Sequence, residues 1–176
     1  ALFLVELRLR KENVEVVRHI GNQGANADLK VLADANRLEQ VLVNLFANAL
    51  DAMLDCPVRQ LTIAVRVDET DDAFATITVS DTGSGIPEDA RARLFEPFFT
   101  TKPPGAGLGL GLAISAGIVR ELGGTLKIDD AAASAGASFT LRLRRARIDE
   151  YQADGAAPHS PAEAQPASPK MPGAKA

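Results

Sequence analysis

Cysteine is nearly absent from this 176-residue chain: the single thiol, Cys56, excludes an intrachain disulfide, and nothing near it has metal-ligand spacing. Long apolar runs are missing too. The longest candidate, Leu108 to Val119, is broken by glycines and is shorter than the roughly 20 residues a bilayer-crossing helix needs. No membrane contact is therefore expected of this part of the protein. The apolar start, Ala1 to Leu7, is followed by no cleavage-like signal; we read it as the cut end of a preceding element in a longer parent chain. An excess of positive charge is lacking as well. The formal net charge is -4, with both signs mixed along the chain, so no broad basic surface is offered to a polyanion and no nucleic-acid partner is expected. Neither GxxxxGK[ST] nor a GxGxxG after a first strand occurs.

What is present fits one core. Nearly half of the residues are apolar, which suits a single domain of ordinary size. From Ala153 onward the chain turns to alanine with Pro158, Pro161, Pro166, Pro169 and Pro172, and no periodic apolar face is left to offset the entropy of ordering. The expected organisation is a domain over 1–148 and a disordered Ala/Pro-rich tail over 149–176.

Within the domain, Asn13 to Ile20 reads as a strand. Asp34 can cap a helix running to about Met53, with Leu38, Val41, Leu42, Leu45 and Ala49 on its apolar face. Arg59 to Val67 and Ala73 to Ser80 read as strands around the turn-like Glu69 to Asp72. A helix follows from about Leu110 to Leu122 and stops at Gly123-Gly124, before strands at Thr125 to Ile128 and Ser138 to Leu143. This order predicts an α+β sandwich, a mostly antiparallel sheet with helices on one face. Regular strand-helix alternation, which a Rossmann sheet requires, is missing.

Three signals point to chemistry. Asn44, Asn48 and Asp51 recur at intervals of four and three, which places them on one helical stripe apart from the leucines. A carboxamide can ligate magnesium through oxygen and donate to phosphate through nitrogen; alone, the same pattern describes surface amides on an amphipathic helix. Asp81-Thr-Gly-Ser-Gly85-Ile-Pro87 follows a strand directly. Its ionised carboxylate accepts only, which suits the exocyclic amine of adenine, and Gly83 and Gly85 leave room for a flat ring; in isolation such a glycine turn is as often structural. Finally, Gly105, Gly107, Gly109 and Gly111 lead into a helix start, where unpaired N–H groups and the positive end of the helix dipole favour phosphate.

These segments together resemble the motifs of bacterial sensor histidine kinases. Gln40 to Ala52 resembles the N box, Asp81 to Pro87 the first glycine box, Leu94 to Lys102 the F box, and Gly105 to Ile114 the second glycine box; Gly136 to Phe139 resembles the weaker last box. The resemblance implies the Bergerat-type (GHKL) fold, which histidine kinases share with type II topoisomerases, a heat-shock chaperone family and mismatch-repair ATPases. It implies ATP (or ADP) and Mg²⁺ as cofactors, with Asn48 the metal ligand, Asn44 an assisting or phosphate-shell residue and Asp81 the adenine reader. Pro97 to Gly107 would form the ATP lid, from which Lys102 reaches a phosphate. On the same basis Asp51, Ala52, Gly83, Gly85, Ile86, Phe95, Thr101, Gly105, Gly107, Leu108, Gly109, Leu110, Gly111 and Leu112 join the nucleotide-binding set. Phe95, Phe98 and Phe99 read as lid anchors and partner-helix contacts rather than base-stacking groups.

Hydrolytic members of the superfamily carry a glutamate one turn before the magnesium asparagine. Here that place is Asn44, which cannot act as a general base. The expected activity is therefore γ-phosphoryl transfer to a nucleophile on another domain. His19 and His159 lack the context of a phosphoacceptor. The implied partners are the parent's own upstream dimerisation and histidine phosphotransfer domain and a cognate response regulator, in a homodimeric parent. The domain would be cytoplasmic and the parent attached to the inner membrane. The lid and N box look most like those of nitrogen-regulatory and C4-dicarboxylate-transport sensor kinases. Two other readings stay open at this point: a Bergerat-fold serine kinase of anti-sigma type, and a catalytically silent nucleotide-binding module.

Overall fold

The computed structural model describes residues 1–21, 29–103, 105, 107–129 and 136–146, all of them within the unit Ala1–Ala146. The expected boundary near Ile148 and the tail 149–176 lie outside the described residues, as does His159. In chain order the elements are α1 (Leu2–Lys11), β1 (Glu15–Ile20), α2 (Ala35–Ala52), β2 (Gln60–Val67), β3 (Phe74–Asp81), α3 (Glu88–Arg91), α4 (Gly111–Glu121), β4 (Thr125–Ile128) and β5 (Ser138–Arg144). The five strands form one sheet in the order β1-β2-β3-β5-β4. Only the β1–β2 pair is parallel; a parallel neighbour needs a crossover, and α2 supplies it.

The segment read as the cut end of a preceding element is part of helix α1, whose Val5 and Leu9 are buried. Asn13 and Val14 donate their N–H groups back to the Arg10 and Leu9 carbonyls, at 3.2 and 2.9 Å, and Asn13 takes the left-handed conformation (φ 54) that such a helix end requires. This is why the first strand begins at Glu15 and not at Asn13. Gly123 and Gly124 close α4 in the same manner on Arg120 and Val119, at the stop read from the sequence. Helix α2 starts where its cap was expected, the Asp34 carboxylate accepting from the Arg37 N–H at 2.9 Å.

Period-two alternation sorts the sheet into a dry and a wet face. The rows Ile63–Val79–Phe139–Ile128 and Val65–Ile77–Leu141–Leu126 run across the strands on the side covered by α2, which packs on α1, α4, β2 and β3. Val41, Leu45, Phe46 and Leu50 of α2 are fully buried there, each worth about 1.5 to 3 kcal/mol relative to exposure. On the other face the hydroxyls of Thr78 and Thr140, and of Ser80 and Ser138, pair across strands at 2.9 and 3.0 Å. The fold is thus the α+β sandwich expected. Among the described residues no helix is long and apolar enough to cross a membrane.

Candidate functional site

Asp81 ends β3 two positions after the inward-facing Val79, so its carboxylate points to the helical layer and not to water. It is 6% exposed. Its Oδ1 accepts from the Gly83 and Ala137 N–H groups at 2.8 and 3.2 Å, while the described residues give Oδ2 no hydrogen-bond partner. Burial pushes the Asp81 pKa above its ordinary value, against the pull of those two N–H bonds. One acceptor oxygen of a buried carboxyl is thereby left facing a cavity.

That cavity, about 540 Å³, is lined by the C-terminal half of α2, the turn after β3, Ala90 of α3 with Leu94 beyond it, the segment leading into α4, and Ala137 and Phe139 at the start of β5. Of the residues singled out in the sequence, Asn48, Asp51, Ala52, Asp81, Gly85, Ile86, Thr101, Lys102, Gly107, Leu108, Gly109, Leu110, Gly111 and Leu112 line it. Four others do not. The Asn44 Nδ2 donates to the Ser115 hydroxyl of α4 at 3.0 Å, and its Oδ1 fills the space that a Cβ on Gly111 would need. It therefore fastens α2 to α4 in place of lining the cavity. Gly83 is packed against Ala52, Phe95 against the hydrophobic core, and Gly105 has open space where a side chain would be.

The lining also holds residues outside the expected nucleotide-binding set: Ala49, Ser84, Ala90, Leu94, Phe99, Thr100, Pro103, Ala137 and Phe139. Leu94, Phe99 and Thr100 lie within the F-box segment and Ala137 and Phe139 within the last box, so the motifs were the available signal. Phe99, expected as a lid anchor and partner-helix contact, is a wall of the cavity and lies under the Arg93 guanidinium, 4.5 Å from the ring centre. Phe98 is 74% exposed at a left-handed φ of 66, its N–H donating to the Gly109 carbonyl at 3.0 Å.

Opposite Asp81 the polar stripe of α2 meets Lys102 of the segment that precedes α4. The Lys102 ammonium donates to Asn48 Oδ1 at 3.1 Å and to Asp51 Oδ2 at 2.6 Å. Asp51 Oδ1 accepts from Arg8 of α1 at 2.9 Å. Burial alone would raise the Asp51 pKa, but the bonds from Lys102 and Arg8 outweigh it and hold the group below the usual carboxylate range. Between these two walls α4 begins at Gly111 with no side-chain cap, so its first N–H groups are free to meet an anion at the positive end of the helix. The arrangement is an acceptor at one end, a cation and a neutral oxygen at the other, and donors between. A second cavity, about 630 Å³ between α1 and β1, contains none of the motif residues. His19 is exposed on the edge strand β1 and lies outside the site.

Residues 33–147 match the family of histidine kinase-, DNA gyrase B- and HSP90-like ATPases. The chain belongs to this family. Among its relatives, the C4-dicarboxylate transport sensor protein DctB of Pseudomonas aeruginosa is 44% identical over 129 residues, covering 73% of this chain and 20% of that protein. The sensor protein FixL of Bradyrhizobium diazoefficiens is 42% identical over 134 residues, covering 76% of this chain and 25% of the relative. The chain thus spans about a fifth to a quarter of the length of these sensors. The catalytic domain of histidine kinase ThkA superimposes with a TM-score of 0.68 at 31% identity, covering 82% of this chain and 88% of that one. A structure of ThkA in complex with the response regulator protein TrrA matches at 0.65 and 29%, covering 82% and 38%. The fold is accordingly the Bergerat one. The chain is a histidine-kinase catalytic domain of a bacterial two-component sensor, from a family that binds ATP and Mg²⁺. No single subfamily stands out among the relatives, so the sequence resemblance to C4-dicarboxylate and nitrogen sensors is not distinguished from a resemblance to other sensor kinases.

Proposed function

We propose that this domain binds Mg-ATP in the cavity between Asp81 and Asn48 and donates the γ-phosphoryl group to a histidine on a dimerisation domain of its parent sensor kinase. The observation that carries this is the Lys102 ammonium resting on Asn48 Oδ1: the one carboxamide oxygen of the stripe that lines the cavity already accepts from a cation. Among the described residues no group of three or more His, Cys, Asp or Glu side chains could hold a metal by itself. A magnesium ion would therefore be shared between Asn48 and substrate phosphates, the usual manner for this ion. When bound it would neutralise phosphate charge.

The chain's own residues supply position. Asp81 Oδ2 accepts from the adenine amine, the uncapped start of α4 meets phosphate oxygens, and Lys102 leaves Asn48 to follow the γ-phosphate as a mobile point charge. Catalysis is then mainly orientation and charge neutralisation. Hydrolysis is disfavoured for a structural reason. Asn44, one turn before Asn48, is tied to Ser115, and a carboxamide there cannot take a proton from water as a general base would. The phosphoryl group passes to an imidazole nitrogen as the bond to ADP breaks, and from there to a cognate response regulator. This reading sets the domain on the cytoplasmic side of a homodimeric parent attached to the inner membrane.

The test supplies γ-labelled ATP to the purified chain, alone and with a separate histidine domain from a sensor kinase. Alone, the chain binds nucleotide and stays unlabelled; with the acceptor, acid-labile phosphate appears on the acceptor histidine. Stoichiometric label on His19 would overturn the assignment. ATP binding without any transfer would favour a silent nucleotide-binding module, and acid-stable label on a serine partner would favour a serine kinase.

A further inference from the structure

Asp51 stands three positions beyond Asn48 on α2 and divides its two oxygens between distant parts of the chain. Oδ1 accepts from Arg8 Nη2 at 2.9 Å and Oδ2 from Lys102 Nζ at 2.6 Å. Arg8 is itself held at the end of α1, its Nε donating to Oε1 of Glu12, the residue after the helix, at 2.9 Å. Lys102 also caps Asn48 Oδ1. A single carboxylate thus joins helix α1 to the lysine that covers the oxygen assigned above to magnesium.

Two cations that flank one carboxylate repel each other, so each is held less firmly than it would be alone. Arg8 has a second effect. When Lys102 swings away, Arg8 leaves Asp51 still paired; without Arg8 the same movement exposes an uncompensated carboxylate beside a triphosphate. Both effects act in one direction, easing the release of Lys102 from Asn48. The side chains of Arg8, Asp51 and Lys102 are 38%, 33% and 33% exposed, so the coupling is reduced by water and salt but not abolished.

We propose that Arg8 is a positioning residue for Lys102: through the shared Asp51 carboxylate it sets how firmly the lysine covers Asn48, and so links helix α1 to entry of the magnesium nucleotide. The proposal rests on the nucleotide reading of the cavity. It gives α1, which does not line the cavity, a direct electrostatic connection to it. A shift of α1 that separates Arg8 from Asp51 tightens the lysine on Asn48; a shift that strengthens the pair loosens it.

The test compares Arg8→Ala and Arg8→Lys, each with Asp51 intact and with Asp51→Asn, by calorimetry of ATP with Mg²⁺ and with EDTA. Arg8→Ala is expected to weaken ATP binding about two- to fivefold in Mg²⁺, the scale of a partly exposed ion pair, with a smaller change in EDTA. Arg8→Lys should restore most of the loss, and Arg8→Ala should have no effect in the Asp51→Asn background. Hydrogen exchange of the Thr101 and Lys102 amides without nucleotide gives an independent readout: slower in Arg8→Ala, faster in Asp51→Asn. Equal losses in both backgrounds would reduce Arg8 to a structural support, and no loss in either, with unchanged exchange, would overturn the coupling. If the wild-type chain binds no ATP, the cavity reading fails, whereas the exchange measurement still decides the Arg8–Asp51–Lys102 linkage.

Discussion

Gly136 lies so close to Asp81 that a Cβ built on it would overlap the aspartate's own carbonyl oxygen and come within 2.7 Å of Oδ1. The neighbouring Ala137 completes the contact in both directions, accepting from the Asp81 N–H at 2.9 Å and donating to Oδ1 at 3.2 Å. Gly136→Ala should therefore push β5 from β3 at the floor of the cavity. The expected cost is about 1 to 3 kcal/mol of stability, as for other insertions into packed sites, together with weaker nucleotide binding. Urea unfolding and calorimetry on the same variant check both, and wild-type values in each would show that the contact is easily relieved.

Asp81→Asn replaces an acceptor-only group with one that presents a donor. Affinity for ATP and ADP should fall alike, with or without Mg²⁺, by about 1.5 to 3 kcal/mol, or roughly ten- to more than a hundredfold. An unchanged affinity for both nucleotides would remove Asp81 from adenine recognition.

A pH dependence accompanies that role. Burial holds the Asp81 pKa above its ordinary value of 3.8, so in the free protein stability declines as pH rises from that value through the raised one, the charged form being the costly one. A ligand that donates to the carboxylate favours ionisation. Nucleotide affinity should then fall as pH drops through the raised pKa, with proton release on binding in that window. Calorimetry in buffers of different ionisation enthalpy measures the proton, and Asp81→Asn should lack this component.

Asn48→Ala should mainly erase the tightening of ATP binding by Mg²⁺. Asn48→Asp should harm transfer more than its size implies, because a carboxylate has no donor and adds negative charge beside a triphosphate, even if it holds free metal more tightly. ATP affinity with and without Mg²⁺, beside transfer to a supplied histidine domain, separates the two variants. Wild-type behaviour of both would mean that Asn48 is not the ligand.

Stability also depends on Arg59, whose guanidinium donates to the carbonyls of Cys56, Glu12 and Leu54 at 3.1, 2.9 and 2.7 Å. It ties the turn after α2 to the end of α1. Arg59→Ala leaves those carbonyls to water or to nothing, and a loss of about 2 kcal/mol in urea unfolding is expected. A loss confined to a few tenths would show that water replaces the guanidinium.

Elements with strong local signals were legible in the sequence. Asp34 capped α2, Gly123 and Gly124 ended α4, and the strands read over Arg59 to Val67, Ala73 to Ser80 and Ser138 to Leu143 correspond to β2, β3 and β5. Helix α1 lacks a side-chain cap and an acidic first turn, so nothing marked its start, and α3 has only four residues, too few to show a period. Side-chain partners far apart in sequence were not legible at all. The helical stripe of Asn44, Asn48 and Asp51 was visible, but its division was not: Asn44 turns to Ser115, 71 positions away, whereas Asn48 and Asp51 meet Lys102, 54 and 51 positions away. Spacing reports which residues share a face; only the packed neighbours decide which of them reaches the cavity.

The sheet ends at β4, four residues long, with Thr125 and Lys127 exposed. Its outward backbone groups are too few to template a long added strand, and a lysine ammonium would have to be stripped of water for one to dock. Concentrated solutions of the domain should therefore resist growth of fibrils from this edge, and exchanging Lys127 for an apolar β-branched residue is the change that would most directly remove that protection.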